Sequence, residues 1–221
     1  MNLRQIPLEL PVESALDRDD LIVSQANALA VGLIDSWPRW PGPVVVLVGP
    51  AGSGKSHLAR VWCEESGAAL VSMADLDATA PPQSVCLAIE DACPDAVPEQ
   101  ALFHILNHVR AEGGHCLITA RRRPAGWNVR LPDLASRLRA AQIVELGEPD
   151  DALLAAVLVK LFADRQVAVA PAIIAYVVSR MERSLEAAGR LVAAMDREAL
   201  SRGGRITRSV AARALEAIVQ E

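Results

Sequence analysis

A glycine-rich stretch, GPAGSGKS, follows a run of apolar residues and matches the phosphate-binding pattern G-x-x-x-x-G-K-[ST]. In that pattern the glycines turn backbone N–H groups toward one point, and the lysine reaches the β and γ phosphates of a nucleotide. The stretch and the residue after it are Gly49, Pro50, Ala51, Gly52, Ser53, Gly54, Lys55, Ser56 and His57. We therefore predict that these residues bind ADP or ATP and that the Ser56 hydroxyl holds Mg²⁺. A chance glycine-rich turn before a helix is the alternative, which the preceding apolar run disfavours.

Two acidic residues, Glu90 and Asp91, directly follow a second apolar run, VCLAI. In phosphate-loop hydrolases such a pair orders the Mg²⁺ shell, in part through water, and polarises the attacking water. A third apolar run, HCLI, ends at Thr119, whose hydroxyl we predict to orient a water or the terminal phosphate. Acidic residues also end strands simply because the chain reaches solvent there, and a threonine at that place is equally often structural. The phosphate loop favours the functional interpretation of Glu90 and Asp91, and it leaves Thr119 open.

These side chains must converge at one edge of a sheet, and the alternation of apolar runs with helical patterns predicts such a sheet. Continuous apolar runs suit parallel strands that are buried on both faces. The predicted strands are residues 44–49, 68–72, 85–90, 115–119 and 142–147, and the helices around them are residues 24–36, 55–66 and 99–112. The predicted fold class is therefore α/β, a phosphate-loop core with a parallel sheet flanked by helices.

From Pro149 onward the sequence shows helical patterns only. The predicted helices there are residues 150–164, 171–181, 185–202 and 208–220. We therefore predict an α/β nucleotide-binding domain over residues 13–148 and a small all-helical lid domain over residues 149–221, with a short peptide over residues 1–12 in front.

Composition and charge argue against several classes of protein. With 221 residues, 52% of them hydrophobic and 22% charged, the chain has the balance of a globular protein with a full core. Its formal charge of −5 argues against broad, non-specific coating of nucleic acid, which needs a surface rich in lysine and arginine. The four cysteines form no CxxC pair, so free thiols in a reducing cytoplasm are expected. The sequence shows neither a signal peptide nor an apolar run of about eighteen residues, so we expect neither export nor a membrane span.

The order of these parts, a phosphate loop, an acidic strand end, a polar strand end and a helical lid, resembles the AAA+ ATPases. Within them, LPDLASRLRAAQIVEL resembles the segment of DnaA-type replication initiators that carries an arginine finger, which implies that role for Arg137. MERSLEAAGRLVAAMD resembles their second sensor motif, which implies that Arg183 contacts the nucleotide. LIVSQANALAVGLIDSW is similar to their adenine-side segment, which implies Val23 and Asn27 as contacts. The resemblance runs from about Asp20 to the end of the sequence.

The sequence ends after the predicted lid, where an initiator continues into a DNA-reading helix-turn-helix domain. The resemblance therefore narrows to the regulators of the DnaA/Hda family, which carry a short N-terminal peptide Q-x-x-L-x-L that docks on the DNA polymerase sliding clamp. Gln5, Leu8 and Leu10 fit that form. Without the resemblance, the same peptide is equally consistent with a frayed terminus or with an edge strand interrupted by Pro7 and Pro11.

This resemblance implies the partners and the activity. The chain is expected to bind the sliding clamp, the β subunit of DNA polymerase III, to meet the ATP-bound initiator DnaA there, and to trigger hydrolysis of the initiator's ATP. An arginine finger acts in a partner's site, where its guanidinium stabilises the charge that develops on the transferring phosphoryl group. DNA is then contacted indirectly, through the clamp, and self-association is left open. A membrane is not among the expected partners.

The sequence departs from the initiator pattern at two positions. Initiators place two aspartates at the acidic strand end, where this chain has Glu90 first, and an acidic residue two positions after Thr119, where this chain has Arg121. Both changes predict slow hydrolysis by the protein alone, so we expect it to act mainly as an activator of DnaA. The arginines around this segment form either a solvated basic face or a surface that meets DNA or an acidic partner; they are Arg121, Arg122, Arg123, Arg130, Arg137 and Arg139.

Two other functions stay open at this point. A stand-alone phosphotransferase uses the same phosphate loop, but it needs a substrate pocket and a mobile lid inserted in the α/β domain, and no such insertion is evident. A helicase loader is an AAA+ adaptor that binds single-stranded DNA and the replicative helicase, and it differs from the regulator in its partner.

Overall fold

The computed structural model describes residues 18–77, 84–200 and 204–219 of the chain. The predicted clamp-binding residues Gln5, Leu8 and Leu10 lie outside this part, so their role stays a prediction. In the described residues, none of the helices has both the length and the apolar character that crossing a bilayer requires.

A five-stranded sheet lies at the centre of the first part of the chain, and every neighbouring pair of strands is parallel. The strands are β1 (Val44–Val48), β2 (Ala69–Ser72), β3 (Leu87–Ala92), β4 (Cys116–Ala120) and β5 (Gln142–Glu145), in the spatial order β2-β3-β4-β1-β5. The strands β1 and β4 are buried along their whole length, as the continuous apolar runs VVVLV and CLITA require. The sheet therefore brings the ends of β1, β3 and β4 to one edge.

Helices cover both faces of this sheet. They are α1 (Ala28–Asp35), α2 (Lys55–Ser66), α3 (Glu99–Ala111) and α4 (Pro132–Ala140). Alternate side chains of β1 enter two separate apolar cores: Val46 packs with residues of α3 and α4, whereas Val45 and Leu47 pack with residues of α1 and α2. Burial on both faces fixes the position of β1, and with it the start of the phosphate loop.

The last part of the chain is a helical unit with an apolar core of its own. Its helices are α5 (Asp151–Asp164), α6 (Pro171–Val178), α7 (Leu185–Leu200) and α8 (Arg208–Val219). Leu158 of α5 and Leu191 and Met195 of α7 are fully buried at the centre of this core. The Asp150 carboxylate caps α5 by accepting the Leu153 N–H at 2.7 Å, which fixes where the lid begins.

The predicted α/β fold class, a parallel sheet flanked by helices and followed by helices only, is confirmed. The observed helices differ from the predicted ones at two places, and both differences have local causes. The first helix begins at Ala28 rather than at Ser24, because Asn27 Oδ1 accepts the Ser24 N–H at 2.8 Å and closes a turn before the helix. The helix α4 was not predicted at all, since its short PDLASRLRA segment directly precedes a strand. The proposed domain boundary near residue 148 stays a prediction.

Candidate nucleotide-binding cleft

The phosphate loop joins β1 to α2 in the strand–loop–helix order that its sequence pattern requires. The Gly49 N–H donates to the Ala120 carbonyl at 3.1 Å, which ties the first residue of the loop to the end of β4. Gly52 and Gly54 have φ angles of 69° and 98°, values that glycine adopts without strain. Gly54 is the N-cap residue of α2 and has no side chain to occupy the N–H groups of the first turn. The loop therefore presents a helix N-terminus that is suited to a phosphate.

The Lys55 side chain holds the loop together from inside. Lys55 is only 8% exposed. Its ammonium donates hydrogen bonds to the Gly49 carbonyl at 2.9 Å, to the Pro50 carbonyl at 2.6 Å and to Ser53 Oγ at 3.4 Å. Burial, followed by the positive charge of Arg121, lowers the pKa of Lys55, whereas the Asp91 carboxylate raises it. The loop thus holds a partly desolvated cation that a bound phosphate would stabilise.

The lid rests directly on this loop. The Leu185 N–H at the start of α7 donates to the Gly52 carbonyl at 2.8 Å, and the adjacent Ser184 is buried. Ser184 Oγ accepts the Ala187 N–H at 3.1 Å and so caps α7. A Cβ atom added to Gly52 would lie 2.7 Å from Ser184 Cβ and overlap its hydroxyl oxygen. Gly52 is therefore required both by its own backbone angle and by the closeness of the lid.

Replacing Gly52 by alanine is expected to lower the free energy of unfolding by about 2–3 kcal/mol, since a left-handed backbone and a steric overlap are both costly. Gly67 supplies a matched control, because its φ angle of 67° is nearly the same and an added Cβ there meets no atom within 4 Å. Gly67→Ala should therefore cost only about 1 kcal/mol. Equilibrium unfolding in urea measures both variants, and equal losses would contradict the contact between lid and loop.

A cleft of about 520 Å³ opens between the phosphate loop and the lid helices α5 and α7, within the usual size range of small-molecule sites. Of the predicted nucleotide-site residues, it is lined by Ala51, Gly52, Gly54, Lys55, Ser56, His57 and Asp91. Its lid side is lined by Val157, Lys160, Leu161, Asp164, Leu185, Glu186 and Gly189. The remaining loop residues do not line the cleft. They accept hydrogen bonds from the Lys55 ammonium instead, and they are Gly49, Pro50 and Ser53. The cleft thus has a phosphate-binding end and a wall formed by the lid.

The two acidic residues at the end of β3, Glu90 and Asp91, are held differently. The backbone of Asp91 has a φ angle of 56°, its N–H donates to Thr119 Oγ1 at 3.1 Å, and the residue lines the cleft. Thr119 itself is 2% exposed, so in this structure its hydroxyl positions Asp91. The Glu90 atom Oε1 is buried and has no hydrogen-bond partner among the described residues.

These positions fit a Mg²⁺ ion bound with the nucleotide. Ser56 is exposed in the cleft at the first turn of α2, and Asp91 faces the same space. Glu90 does not line the cleft and its Oε1 is buried, so the fit to the ion rests on Ser56 and Asp91. Ser56 would be the direct ligand and Glu90 would act through water; the roles of Glu90, Asp91 and Thr119 stay predictions.

The predicted contacts on the adenine and sensor side do not line the cleft in this structure. The Arg183 guanidinium donates to the Pro149 carbonyl at 3.2 Å and pairs with Asp151 at 2.7 Å, which ties the α6–α7 connection to the start of α5. Asn27 is 6% exposed and donates to the Ile22 carbonyl at 2.9 Å, whereas Val23 in the same turn is exposed. Asn27 thus shapes the turn that presents Val23.

Arg137 lies away from this cleft. Its guanidinium packs over the Phe103 ring of α3 at 5.4 Å from the ring centroid. It also lines a small cavity beside Val44, the first residue of β1, whereas the phosphate loop follows the last residue of that strand. A five-residue strand spans roughly 13 Å between its first and last Cα atoms. Arg137 is therefore placed at the opposite end of β1 from the chain's own phosphate loop.

Sequence reasoning missed the contribution of α5 to the cleft. The Lys160 ammonium pairs with Asp20 at 2.8 Å and with Asp164 at 2.8 Å, and all three residues line the cleft. The Lys160 and Asp164 pair, four residues apart in a helix, was visible as an intrahelical ion pair. The pairing of Lys160 with Asp20 was not visible in the sequence, because the two residues lie far apart in the chain. Gly189, in the interior of α7, was a second signal, since glycine there leaves space at the cleft wall.

Sequence comparison matches part of this chain to another protein. No protein-family model matches the chain. An uncharacterized protein of Haemophilus influenzae is 31% identical over 124 residues, which cover 49% of this chain and 54% of that relative. The match thus spans about half the length of the relative.

Solved structures resemble this chain much more extensively. Domain III of the replication initiation protein DnaA of Thermotoga maritima has a TM-score of 0.77 at 14% identity, covering 96% of this chain and 100% of that chain. AMPPCP-bound DnaA of Aquifex aeolicus has a TM-score of 0.71 at 16% identity, covering 91% of this chain and 69% of the other. RuvB of Thermotoga maritima, a Holliday junction branch migration motor, has a TM-score of 0.66 at 20% identity, covering 88% and 70%. The chain has the AAA+ fold that DnaA and RuvB share.

Proposed function

We propose that this protein binds ADP or ATP with Mg²⁺ in the cleft between its phosphate loop and its lid. The left-handed glycines of the loop, the open N-terminus of α2 and the partly buried Lys55 supply an anion site, and Ser56 and Asp91 face it. The likeness to AMPPCP-bound DnaA supports the same conclusion.

The proposed function is that of an Hda-type regulator of chromosomal replication initiation. The protein would bind the DNA polymerase sliding clamp through Gln5, Leu8 and Leu10 and insert Arg137 into the nucleotide site of ATP-bound DnaA. Hydrolysis of the initiator's ATP would then prevent a second initiation. In this role the protein hydrolyses its own bound nucleotide slowly.

The placement of Arg137 is the observation that carries this proposal. A guanidinium at the opposite end of β1 from the chain's own phosphate loop serves no nucleotide in its own cleft, whereas an arginine finger acts in a partner's site. The likeness in fold to domain III of DnaA, which covers 96% of this chain, supports a DnaA protomer as the proposed partner.

The decisive experiment measures hydrolysis of DnaA-bound ATP on clamp-loaded DNA, with and without this protein. Stimulation that needs both the protein and the clamp supports the regulator. Equal hydrolysis in the presence and absence of the protein would contradict it.

Clamp binding is tested separately with the double variant Gln5→Ala/Leu8→Ala, which should weaken binding to the isolated clamp at least about tenfold by removing a polar and an apolar anchor. Ile6→Ala/Glu9→Ala is the matched control, since both changes fall at positions that the peptide pattern leaves free. Surface plasmon resonance on immobilised clamp compares the two. A helicase loader or a phosphotransferase would not bind the clamp, and equal loss in both variants would contradict the predicted motif.

A further inference from the structure

Tyr176, on helix α6 of the lid, has two arginines beside its ring. The guanidinium carbon of Arg180 lies 4.2 Å from the centroid of this ring, and that of Arg208 lies 4.7 Å from it. The two carbons are therefore no farther apart than the sum of these distances. Arg180 follows the end of α6 and Arg208 begins α8, so two separate helices bring the charges together. We call these three residues the arginine-tyrosine patch.

The charges of this patch are available to a partner. Both arginines are exposed, and within the described residues neither of them forms an ion pair. Glu182, the acidic residue nearest to Arg180 in the sequence, lies 3.9 Å from Arg190 instead. Arg180 also donates a hydrogen bond to the Tyr176 carbonyl at 3.1 Å, which holds its guanidinium beside the ring. Two like charges held this close repel each other, and an anion bound beside them would offset the repulsion.

The chain around Arg208 adds further donors to the same part of the lid. The sequence from residue 199 to residue 215 contains arginines and no acidic residue. Arg205, in the connection that leads into α8, is exposed. Thr207 and Ser209 are exposed as well, and their hydroxyl oxygens lie 3.0 Å apart. Because the whole chain has a formal charge of −5, this cationic region is a local exception.

These groups suit the phosphates of a nucleic-acid backbone. Guanidinium and hydroxyl groups are the usual partners of backbone phosphates, and such contacts carry no sequence information. Unpaired bases need a free aromatic face on which to stack, whereas the Tyr176 ring is already in contact with two guanidinium groups. A protein partner would need an apolar centre, and the patch has only the ring that its own arginines cover. The patch therefore favours duplex DNA over a single strand or an acidic protein.

We propose that the arginine-tyrosine patch binds the phosphate backbone of duplex DNA directly and without sequence preference. The proposal rests on the proposed function, which places the protein on clamp-loaded DNA, and it adds a direct contact to the one made through the clamp. The cleft is lined from the lid by α5 and α7, whereas the patch belongs to α6 and α8, so nucleotide and DNA occupy different surfaces. The contact is weak by itself, and the clamp strengthens it by raising the local concentration of DNA.

The test measures binding of the full chain to a fluorescein-labelled duplex of about 30 base pairs by fluorescence anisotropy, between about 50 and 200 mM KCl. Arg180→Gln/Arg208→Gln removes both charges and keeps part of the side-chain stems on the ring. It should weaken binding at about 50 mM KCl tenfold or more and lower the slope of log K against log salt by about two, one for each lost phosphate contact. Arg180→Lys/Arg208→Lys keeps the charges and should keep the wild-type slope. Arg122→Gln/Arg139→Gln is the matched control, because it removes two exposed charges elsewhere and should bind like wild type.

Wild-type protein without salt-dependent binding to the duplex would overturn the proposal and would leave the patch to an acidic protein. Unchanged affinity in the glutamine variant of the patch would overturn it as well. An equal loss in the control would show a general charge effect, and an equal loss in the lysine variant would show a structural effect; either result contradicts the proposal. The assay contains neither clamp nor DnaA, so its failure is distinguishable from failure of the proposed regulator, which the hydrolysis of DnaA-bound ATP tests.

Discussion

Arg137→Ala is expected to reduce the stimulation of DnaA-bound ATP hydrolysis by roughly a thousandfold, the loss typical of removing an arginine finger supplied by a partner. The physical reason is that charge develops on the transferring phosphoryl group in a site from which water is excluded. A fixed guanidinium stabilises that charge without reorganisation. The measurement is the single-turnover rate of ATP hydrolysis by DnaA on clamp-loaded DNA, with saturating amounts of each variant.

The affinity of Arg137→Ala for its own nucleotide should stay within about twofold of wild type. Arg137 lies away from the cleft, and a substitution has little effect on a distant site that shares no contacts with it. Arg139→Ala is the matched control. Arg139 lies on the same helix α4 and is exposed, and its replacement by alanine removes the same charge. Arg137→Lys tests geometry, because an ammonium cannot offer the bidentate fork. We expect Arg139→Ala to stimulate normally and Arg137→Lys to fail nearly as much as alanine.

Full stimulation by Arg137→Ala would refute the finger assignment while leaving the regulator intact. Loss of stimulation in both Arg137→Ala and Arg139→Ala would point to a general basic surface. The packing of Arg137 over Phe103 matters for this comparison, because alanine also removes that contact. A cation–π contact at a partly exposed site is worth about 0.5–1 kcal/mol, too little to unfold the domain.

The central sheet and the phosphate loop could be predicted from the sequence because their determinants are local. The five residues of β1 are all apolar and lie between turn residues, and the glycines that follow need left-handed backbone angles. The predicted helix over residues 55–66 has the observed bounds, since Lys55 follows a glycine N-cap and Gly67 ends the helix. Such features need no knowledge of the tertiary structure.

The arrangement around the loop could not be predicted, because it depends on contacts between distant segments. Asp20 reaches Lys160 across the cleft, and the α7 cap at Ser184 packs on Gly52. Neither pairing leaves a periodic signal in the sequence. Asn27 illustrates the same limit, since the sequence does not show that its side chain hydrogen-bonds the backbone of its own turn; its contact with the nucleotide stays a prediction.

The acidic strand end shows how a local irregularity redirects a predicted site. A register shift between Ile89 and Ala92 and the left-handed backbone of Asp91 turn that residue into the cleft, while one oxygen of Glu90 is buried. The sequence identified both carboxylates but could not distinguish their exposure, because a bulge has no composition of its own. Arg121, which stands where initiators place an acidic residue, lines the same cleft as Asp91.

Lys55→Ala is expected to weaken ADP and ATP binding by roughly a hundredfold or more, since charge-assisted contacts to two phosphates are lost together. The same change removes the hydrogen bonds to the carbonyls of Gly49 and Pro50 and to Ser53, which hold the loop in shape. Both effects act in the same direction on affinity. Calorimetric titration with each nucleotide, with and without Mg²⁺, gives the loss directly.

The two causes can be separated with a second variant and a second measurement. Ser56→Ala removes the Mg²⁺ ligand and leaves the Lys55 contacts in place, so its loss of affinity should appear only when Mg²⁺ is present. Arg139→Ala, which removes one positive charge far from the cleft, should bind both nucleotides normally. If Lys55→Ala retained wild-type affinity while remaining folded, the phosphate loop would not be the nucleotide site.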